Sequence, residues 1–224
     1  MPSPSRQRRG LFISLEGGEG SGKTTQALRL FHLLTAKGYD VVQTREPGGT
    51  AVAERLRGIL LDRSDETVTP ETEALLMLAA RRQHVEHVIR PALASGKVVI
   101  CDRFSDSTLA YQGYGRGLDL KLLRMINRWV TDTVTPHLTL FFDIPIAAGL
   151  KRRRGHSAEQ NRLDHETHRF HAKVRSGFQA LATREPRRIK ILDARRSPDS
   201  VAVEVERLVL DKLQRSTVPT RKTR

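Results

Sequence analysis

The sequence is poor in cysteine, and this limits the chemistry that thiols can support. Cys101 has no second cysteine with which to pair, so an internal disulfide is excluded. Such usage is typical of the reducing cytoplasm, where we expect the protein to work. Cys101 directly follows the apolar residues 98–100, so we expect a buried, unreactive thiol rather than a nucleophile.

Aromatic residues and long apolar runs are also scarce. Phe, Trp and Tyr make up 5% of the 224 residues, and they form no stacking motif of a nucleic-acid-binding module. No apolar run approaches the ~20 residues of a membrane-spanning helix. No apolar stretch of signal-peptide type follows the basic residues 1–9. Membrane insertion is therefore not expected, and nucleic-acid binding through basic charge is kept only as an alternative.

Acidic residues are absent from both ends of the chain. Residues 1–9 and 215–224 carry three and four basic side chains, which together supply seven of the formal net charge of +14. Their Ser, Thr, Pro and Arg content is typical of disordered segments. We therefore predict disordered basic tails over 1–10 and 215–224. They flank a single domain over 11–214, whose remaining positive charge suits anionic ligands.

A glycine-rich stretch is the most informative part of what the sequence does contain. Residues 17–24 read Gly-Gly-Glu-Gly-Ser-Gly-Lys-Thr, the phosphate-binding P-loop pattern, between an apolar run at 11–15 and helical spacing at 25–34. Glycines let backbone N–H groups point at phosphate oxygens, and the helix adds the positive end of its dipole. We expect Lys23 to reach the β- and γ-phosphates and the Thr24 hydroxyl to bind Mg²⁺. The predicted ATP-binding residues are Gly17, Gly18, Glu19, Gly20, Ser21, Gly22, Lys23, Thr24 and Thr25.

Strands and helices alternate along the rest of the chain. Apolar runs near residues 40–44, 97–102, 138–143 and 188–193 separate segments with helical spacing. This alternation predicts an α/β fold with a five-stranded, mainly parallel sheet and helices on both faces. A basic segment at about 151–165 interrupts the pattern, and we expect it to form a small mobile lid.

One helical region and one glycine-rich stretch can be interpreted further from their residues alone. Residues 71–94 are predicted to form one long helix. His84 and His87 would lie on its solvated face, because metal binding needs more converging ligands. The glycines at 113–117 indicate a turn.

Polar side chains follow the predicted strands at the edge where open α/β sheets bind ligands. Asp102 ends a buried strand, a position from which a carboxylate can bind Mg²⁺. Arg45 follows another strand and begins a loop that contains Pro47. A plain turn with a surface pair of Arg45 and Glu46 is the alternative.

Arginines outside the P-loop indicate a second anionic substrate. Arg45, Arg81 and Arg103 are widely spaced in the chain, and a guanidinium recognises phosphate as a planar fork. The neutral side chains of Thr108 and Gln112 could read the edge of a base. Phosphoryl transfer between two nucleotides explains these residues better than hydrolysis does.

Three motifs together resemble the bacterial thymidylate kinase family. They are the P-loop stretch 15–26, the sequence Thr-Arg-Glu-Pro-Gly-Gly-Thr at 44–50, and Asp102-Arg103 with Ser-Thr-Leu-Ala-Tyr-Gln-Gly at 107–113. The resemblance runs from about residue 11 to 213. It implies transfer of the ATP γ-phosphoryl group to dTMP with Mg²⁺, giving ADP and dTDP on the way to dTTP. It also implies a homodimer. A kinase for another nucleoside monophosphate is the alternative within this class.

The resemblance also assigns roles at the acceptor site. It implies that Glu19 lies near the dTMP 3′-hydroxyl, and that Tyr111 lies where a ribose 2′-hydroxyl would clash. The other residues implied to bind dTMP are Arg45, Arg81 and Arg103 at the phosphate, Thr108 and Gln112 at the thymine, and Pro47, Met77 and Ser107.

The expected source of the catalytic arginine follows from what the P-loop lacks. One branch of the family has a basic residue within the loop, whereas residues 18–21 contain none. This chain therefore resembles the branch whose lid supplies the arginine, although the lid reads Asn-Arg-Leu-Asp at 161–164 where many relatives have Asp-Arg-x-Glu. The lid candidates are Arg152, Arg153, Arg154 and Arg162, and the predicted catalytic set is Lys23, Arg45, Arg103, Arg154 and Arg162.

A second departure from the family pattern concerns the base. Met77 stands where relatives commonly have an aromatic residue that stacks on thymine. Methionine keeps only part of such a stacking interaction, so somewhat weaker dTMP binding is expected. A core position for Met77, beside the leucines at 75, 76 and 78, is the alternative.

Overall fold

The structure is a computed structural model and describes residues 10–62, 66–154 and 162–217. The strands are β1 Leu11–Gly17, β2 Val41–Arg45, β3 Val98–Asp102, β4 Leu138–Asp143 and β5 Ile189–Asp193. The α-helices are α1 Lys23–Ala36, α2 Ala51–Leu61, α3 Pro70–His84, α4 Arg90–Ala94, α5 Ser105–Thr108, α6 Leu120–Thr131, α7 Ile146–Arg154, α8 His168–Arg184 and α9 Pro198–Thr217. Two π-helical segments, Val85–Ile89 and Leu109–Gly115, and a 3₁₀ turn, Arg162–His165, complete the described elements.

The five strands form one parallel sheet in the order β2-β3-β1-β4-β5. Successive side chains of β1 point to opposite faces, as the pleat requires. Ile13 and Leu15 pack with α1 and α9, whereas Phe12 meets Phe104 edge to face on the other side, with ring centroids 4.8 Å apart. Helices cover both faces, so the predicted fold class is confirmed. Cys101 lies in this second core layer, and burial raises the pKa of its thiol, as expected of an unreactive cysteine.

The predicted long helix at 71–94 is interrupted. Residues Val85–Ile89 form a wider π-helical turn between α3 and α4. Pro91 has no N–H to donate to the carbonyl of His87, which is one physical reason for the irregularity. His84 is buried rather than solvated, so that prediction is wrong, whereas His87 is exposed.

The predicted turn at 113–117 is also largely wrong. The chain continues as α5 and then as the π-helical segment up to Gly115, and of the glycines at 113, 115 and 117 only Gly117 has a positive φ, 85°. A Cβ on Gly115 would lie 2.7 Å from the Phe170 ring, and one on Gly113 would lie 2.3 Å from Leu120. These two glycines therefore permit close helix packing and do not turn the chain.

The predicted tail boundaries differ slightly from the ends of the described structure. Helix α9 continues to Thr217, beyond the predicted start of the tail at 215. Gly10 is packed against the backbone of Leu93. The remaining tail residues, and residues 155–161 of the predicted lid, lie outside the described part of the chain. Among the described helices, none is long and apolar enough to span a bilayer.

Candidate active site

The carboxyl ends of the central strands meet at one edge of the sheet, and a cleft of about 1080 Å³ opens there. The parallel register aligns Leu15 of β1 and Arg45 of β2 with Asp102 of β3, so the P-loop, the residue 45–50 loop and Asp102 converge. The predicted residues that line this cleft are Glu19, Gly20, Ser21, Gly22, Lys23, Thr24, Thr25, Arg45, Pro47, Met77, Arg81, Asp102, Arg103, Ser107, Thr108, Tyr111 and Gln112.

The P-loop wraps around its own lysine. Gly20 and Gly22 have φ of 66° and 89°, which places the loop in a conformation that residues with a Cβ rarely adopt. The Lys23 ammonium donates to the carbonyls of Gly17 and Gly18 at 3.2 and 2.9 Å. Burial and the nearby Arg103 charge lower the pKa of Lys23. A cation is thus held in the loop at the wall of the cleft, where it suits phosphate binding.

Two oxygen ligands suitable for a hard cation lie side by side next to the loop. The Thr24 hydroxyl donates to the Asp102 carboxylate at 2.8 Å. A hydroxyl and a carboxylate are donors that Mg²⁺ accepts while phosphates and water complete its shell. The donor chemistry therefore fits the predicted metal role of both residues.

Glu19 joins the P-loop to the acceptor side of the cleft. Its carboxylate accepts hydrogen bonds from the Arg103 guanidinium and, at 3.1 Å, from the Tyr111 hydroxyl. Burial alone would raise the pKa of Glu19, but the charges of Arg103 and Lys23 outweigh it and hold the pKa at about 2. Arg103 adopts a left-handed φ of 71°, and its guanidinium lies 5.0 Å from the centre of the Tyr111 ring. The left-handed backbone conformation of Arg103 costs about 1 to 3 kcal/mol and is typical of functional sites.

Arg81 lies almost fully buried in the wall of the cleft, where buried partners hold it. Its guanidinium donates at 2.7 Å to Glu46, Thr108 and Asn127. The other Glu46 oxygen lies 2.9 Å from the His84 ring, which explains why this histidine is buried. The contact with Thr108 joins Arg81 to a residue assigned to the base, whereas the resemblance assigned Arg81 to the phosphate. Which part of dTMP Arg81 contacts stays a prediction.

Arg45 and Glu46 do not form the surface pair that was the alternative interpretation. Glu46 is buried and binds Arg81, whereas Arg45 is exposed and pairs with Glu54 at 3.1 Å. Arg57 was missed by the sequence analysis. It lines the same cleft and donates to the Pro47 carbonyl at 2.9 Å. Its place one turn after Glu54 in a helical pattern was the only signal that could have indicated it.

Met77 lies on the wall of the cleft and is half-buried, while the adjacent Leu78 is buried in the fold. This arrangement favours a ligand-facing role for Met77 over the alternative core position. The interaction with thymine itself stays a prediction.

Helix α7, whose last four residues begin the predicted lid, rests directly on the P-loop. A Cβ on Gly149 would lie 2.5 Å from the Glu19 carbonyl oxygen, so the two backbones are in contact. Arg152 and Arg153 line the cleft, and Arg152 also donates to the Ala194 carbonyl at 2.8 Å. The Arg154 side chain lies outside the described part of the structure.

Arg162 is not brought to the phosphate loop. Its guanidinium donates to Glu73 at 2.6 Å and to the Leu60 carbonyl at 3.2 Å. To act on a phosphoryl group it would have to leave Glu73. Its predicted catalytic role therefore has no support in this arrangement and remains untested.

Comparison with known proteins gives a consistent result. A family model described as Thymidylate kinase matches residues 15–205. The thymidylate kinase of Synechococcus sp. (strain JA-2-3B'a(2-13)) is 49% identical over 207 residues, covering 92% of this chain and 98% of that protein. The thymidylate kinase of Syntrophotalea carbinolica is 50% identical over 195 residues, covering 85% and 90%. A crystal structure of thymidylate kinase from Ehrlichia chaffeensis superposes with a TM-score of 0.72 at 35% identity, covering 89% of this chain and 98% of that one.

Proposed function

The chain belongs to the thymidylate kinase family, and on that premise we propose that it transfers the γ-phosphoryl group of ATP to dTMP, giving ADP and dTDP. One observation carries the proposal. The same cleft is lined both by the P-loop and by Arg45, Arg103 and Gln112, so donor and acceptor would share one space. Phosphoryl transfer needs little from a protein beyond such positioning and charge stabilisation.

The donor side of the cleft has the groups that ATP requires. The P-loop amides would hold the phosphates, and Lys23 would stabilise the charge on the transferring group. Thr24 and Asp102 would hold Mg²⁺, which supplies charge neutralisation on the β- and γ-phosphate oxygens when it is bound.

The acceptor side has groups for the phosphate and the sugar. Arg45 and Arg103 would bind the dTMP phosphate, and the Glu19 carboxylate would accept a hydrogen bond from the 3′-hydroxyl. Tyr111, held by Glu19 at 3.1 Å, would fill the space that a 2′-hydroxyl needs. The family resemblance supports these roles, and the contacts among the side chains are consistent with them.

The lid would supply the catalytic arginine. Helix α7 carries Arg152, Arg153 and Arg154 on an element that touches the P-loop backbone, and Arg162 is engaged elsewhere. Single alanine variants of these four arginines test the assignment. The catalytic one should lose about 10³-fold in kcat with little change in the KM for ATP. Unchanged kcat in all four would refute a lid arginine.

A coupled ADP-release assay across the nucleoside monophosphates tests the reaction. We expect the highest kcat/KM for dTMP. A preference for another monophosphate would instead support the alternative kinase. If none were phosphorylated, and the protein bound nucleic acid with a steep salt dependence, the basic-charge alternative would be correct.

We also propose that two copies associate through the face formed by α3 and α6. Leu75 of α3 and Leu122, Met125 and Trp129 of α6 are exposed, Trp129 to 77%, although soluble monomers seldom leave such apolar side chains together in water. Sedimentation velocity should give a dimer for the wild type and a monomer for Trp129→Glu. A wild-type monomer at micromolar concentration would refute the proposal.

A further inference from the structure

Glu73 is a buried carboxylate near the start of α3 that no predicted role uses. Its side chain accepts hydrogen bonds from two other segments of the chain, one at 112–116 and one at Arg162. One oxygen accepts from the Gln112 amide at 2.9 Å and from Arg116 Nε at 3.2 Å. The other accepts from Arg116 Nη2 at 2.9 Å and from Arg162 Nη2 at 2.6 Å.

These contacts keep Glu73 ionised. Burial alone would raise the pKa of Glu73, but the hydrogen bonds from Arg116, Gln112 and Arg162 outweigh it and lower the pKa. An ionised carboxylate can only accept hydrogen bonds. Glu73 therefore forces Gln112 to turn its NH₂ group toward α3.

The other end of the Gln112 amide matters for the cleft. Because its nitrogen donates to Glu73, only its oxygen remains to bind another group. This oxygen is buried and accepts no hydrogen bond from any residue in the described ranges. Gln112 lines the cleft beside Thr108. The side chain is thus fixed as an acceptor with no donor in the wall of the cleft. Gln112 is fully covered in this arrangement, so a ligand would supply the donor by seating against that wall and displacing what covers the oxygen.

The bases differ in what they offer to such an acceptor. Thymine carries a hydrogen on N3, whereas cytosine has a lone pair there. We propose that Glu73 is a positioning residue that fixes Gln112 as a hydrogen-bond acceptor, so that the site takes a base with an N3–H donor and rejects cytosine. This inference rests on the proposed function and names the residue behind its base selectivity.

The isosteric substitution Glu73→Gln separates this role from packing. The second carboxylate oxygen accepts from two guanidinium groups at 2.9 and 2.6 Å, whereas the first accepts from only one, at 3.2 Å. The amide oxygen of the substituted side chain would therefore take the second place, and the longer Arg116 contact would be lost. The NH₂ group of this side chain would then face Gln112 and turn that amide around. The Gln112 nitrogen, now a donor, would face the base and match N3 of cytosine.

The measurement is kcat/KM for dTMP and for dCMP in each variant. We expect the dTMP-to-dCMP ratio of Glu73→Gln to fall by about tenfold or more relative to wild type, because a buried site rejects a base that leaves its polar groups unpaired. The change should lie mainly in KM. Differences at the C4 substituent of the bases are common to all variants and cancel in the comparison of ratios.

Two further variants distinguish orientation from general damage. Arg162→Gln removes the lid contact but leaves Glu73 on Gln112, so the ratio should stay at the wild-type value even if kcat falls. The swapped pair Glu73→Gln with Gln112→Glu again gives position 112 an acceptor, and the preference for dTMP should return. It also keeps the same charge and carries the test if the single variant does not fold.

Three results would overturn the inference: an unchanged ratio in a folded Glu73→Gln enzyme, an equal fall in Arg162→Gln, or a swapped pair that folds but has lost the preference. A wild-type enzyme with no activity on dTMP would refute the proposed function instead, so the two failures can be told apart.

Discussion

Replacing Gly149 with alanine should slow phosphoryl transfer, because this glycine lets helix α7 touch the P-loop. Its ideal Cβ would lie 2.5 Å from the Glu19 carbonyl oxygen and 3.2 Å from Ile144, and the reciprocal Cβ on Gly20 would lie 2.0 Å from the Gly149 oxygen. The close contacts are with backbone atoms of both elements, so no flexible side chain can yield. Helix α7 and the loop must separate by about 0.5 to 0.9 Å to reach a contact of 3.0 to 3.4 Å.

The size of the effect follows from what α7 carries. Arg152 and Arg153 line the cleft and would move with the helix. A displacement of about 1 Å in a catalytic constellation can cost ~10²-fold in rate, so we expect kcat to fall by about ten- to a hundredfold. Overpacking costs about 1 to 3 kcal/mol and the better helix propensity of alanine returns about 1, so the loss of stability should be about 0 to 2 kcal/mol.

Gly58 provides the matched control. It is also a helical glycine, in α2, but a Cβ there meets nothing within 4 Å. Gly58→Ala should therefore raise stability by about 0.4 to 1 kcal/mol and leave kcat unchanged. The ADP-release assay and thermal unfolding give both quantities for each variant. If Gly149→Ala behaved like Gly58→Ala, with full kcat and a higher Tm, the inferred contact between α7 and the P-loop would be refuted.

Three further predictions concern single side chains. Lys23→Ala should abolish measurable turnover while circular dichroism shows an intact fold, and near-normal turnover would remove the P-loop from the mechanism. Met77→Phe should lower the KM for dTMP a few-fold, about 1 kcal/mol, without changing that for ATP. Lost stability with an unchanged KM would show that Met77 is a packing residue. Burial and the charge of Asp106 raise the pKa of Glu16 to about 8. Glu16 therefore keeps its proton in the folded state above pH 4.5, where the unfolded state has lost it. The contribution of Glu16 to the free energy of unfolding should fall as the pH rises from 4.5 to 8. The free energy of unfolding, measured with urea at a series of pH values, should decline less over this range for Glu16→Gln than for wild type. Identical pH profiles for the two proteins would contradict the prediction.

Most of the candidate site could be predicted because its signals are local. The P-loop needs its glycines, lysine and threonine within eight consecutive residues, and the strand before it and the helix after it are visible in the apolar spacing. Parallel strands share one carboxyl edge, so residues that follow different strands, such as Arg45 and Asp102, were expected to meet, and their register aligns them.

Only the tertiary structure decided which polar groups are buried together. Glu73 meets Gln112 across 39 positions of the chain and Arg162 across 89, and no spacing rule relates such residues. Gly113 and Gly115 indicated a turn because glycine is common in turns. In the structure, the side chains of Leu120 and Phe170 instead occupy the space that a Cβ at these positions would need. Local sequence fixes which conformations a segment prefers and which chemistry it carries. The partners that satisfy a buried charge, and the neighbours that require a missing Cβ, come from distant segments and exist only once the chain has folded.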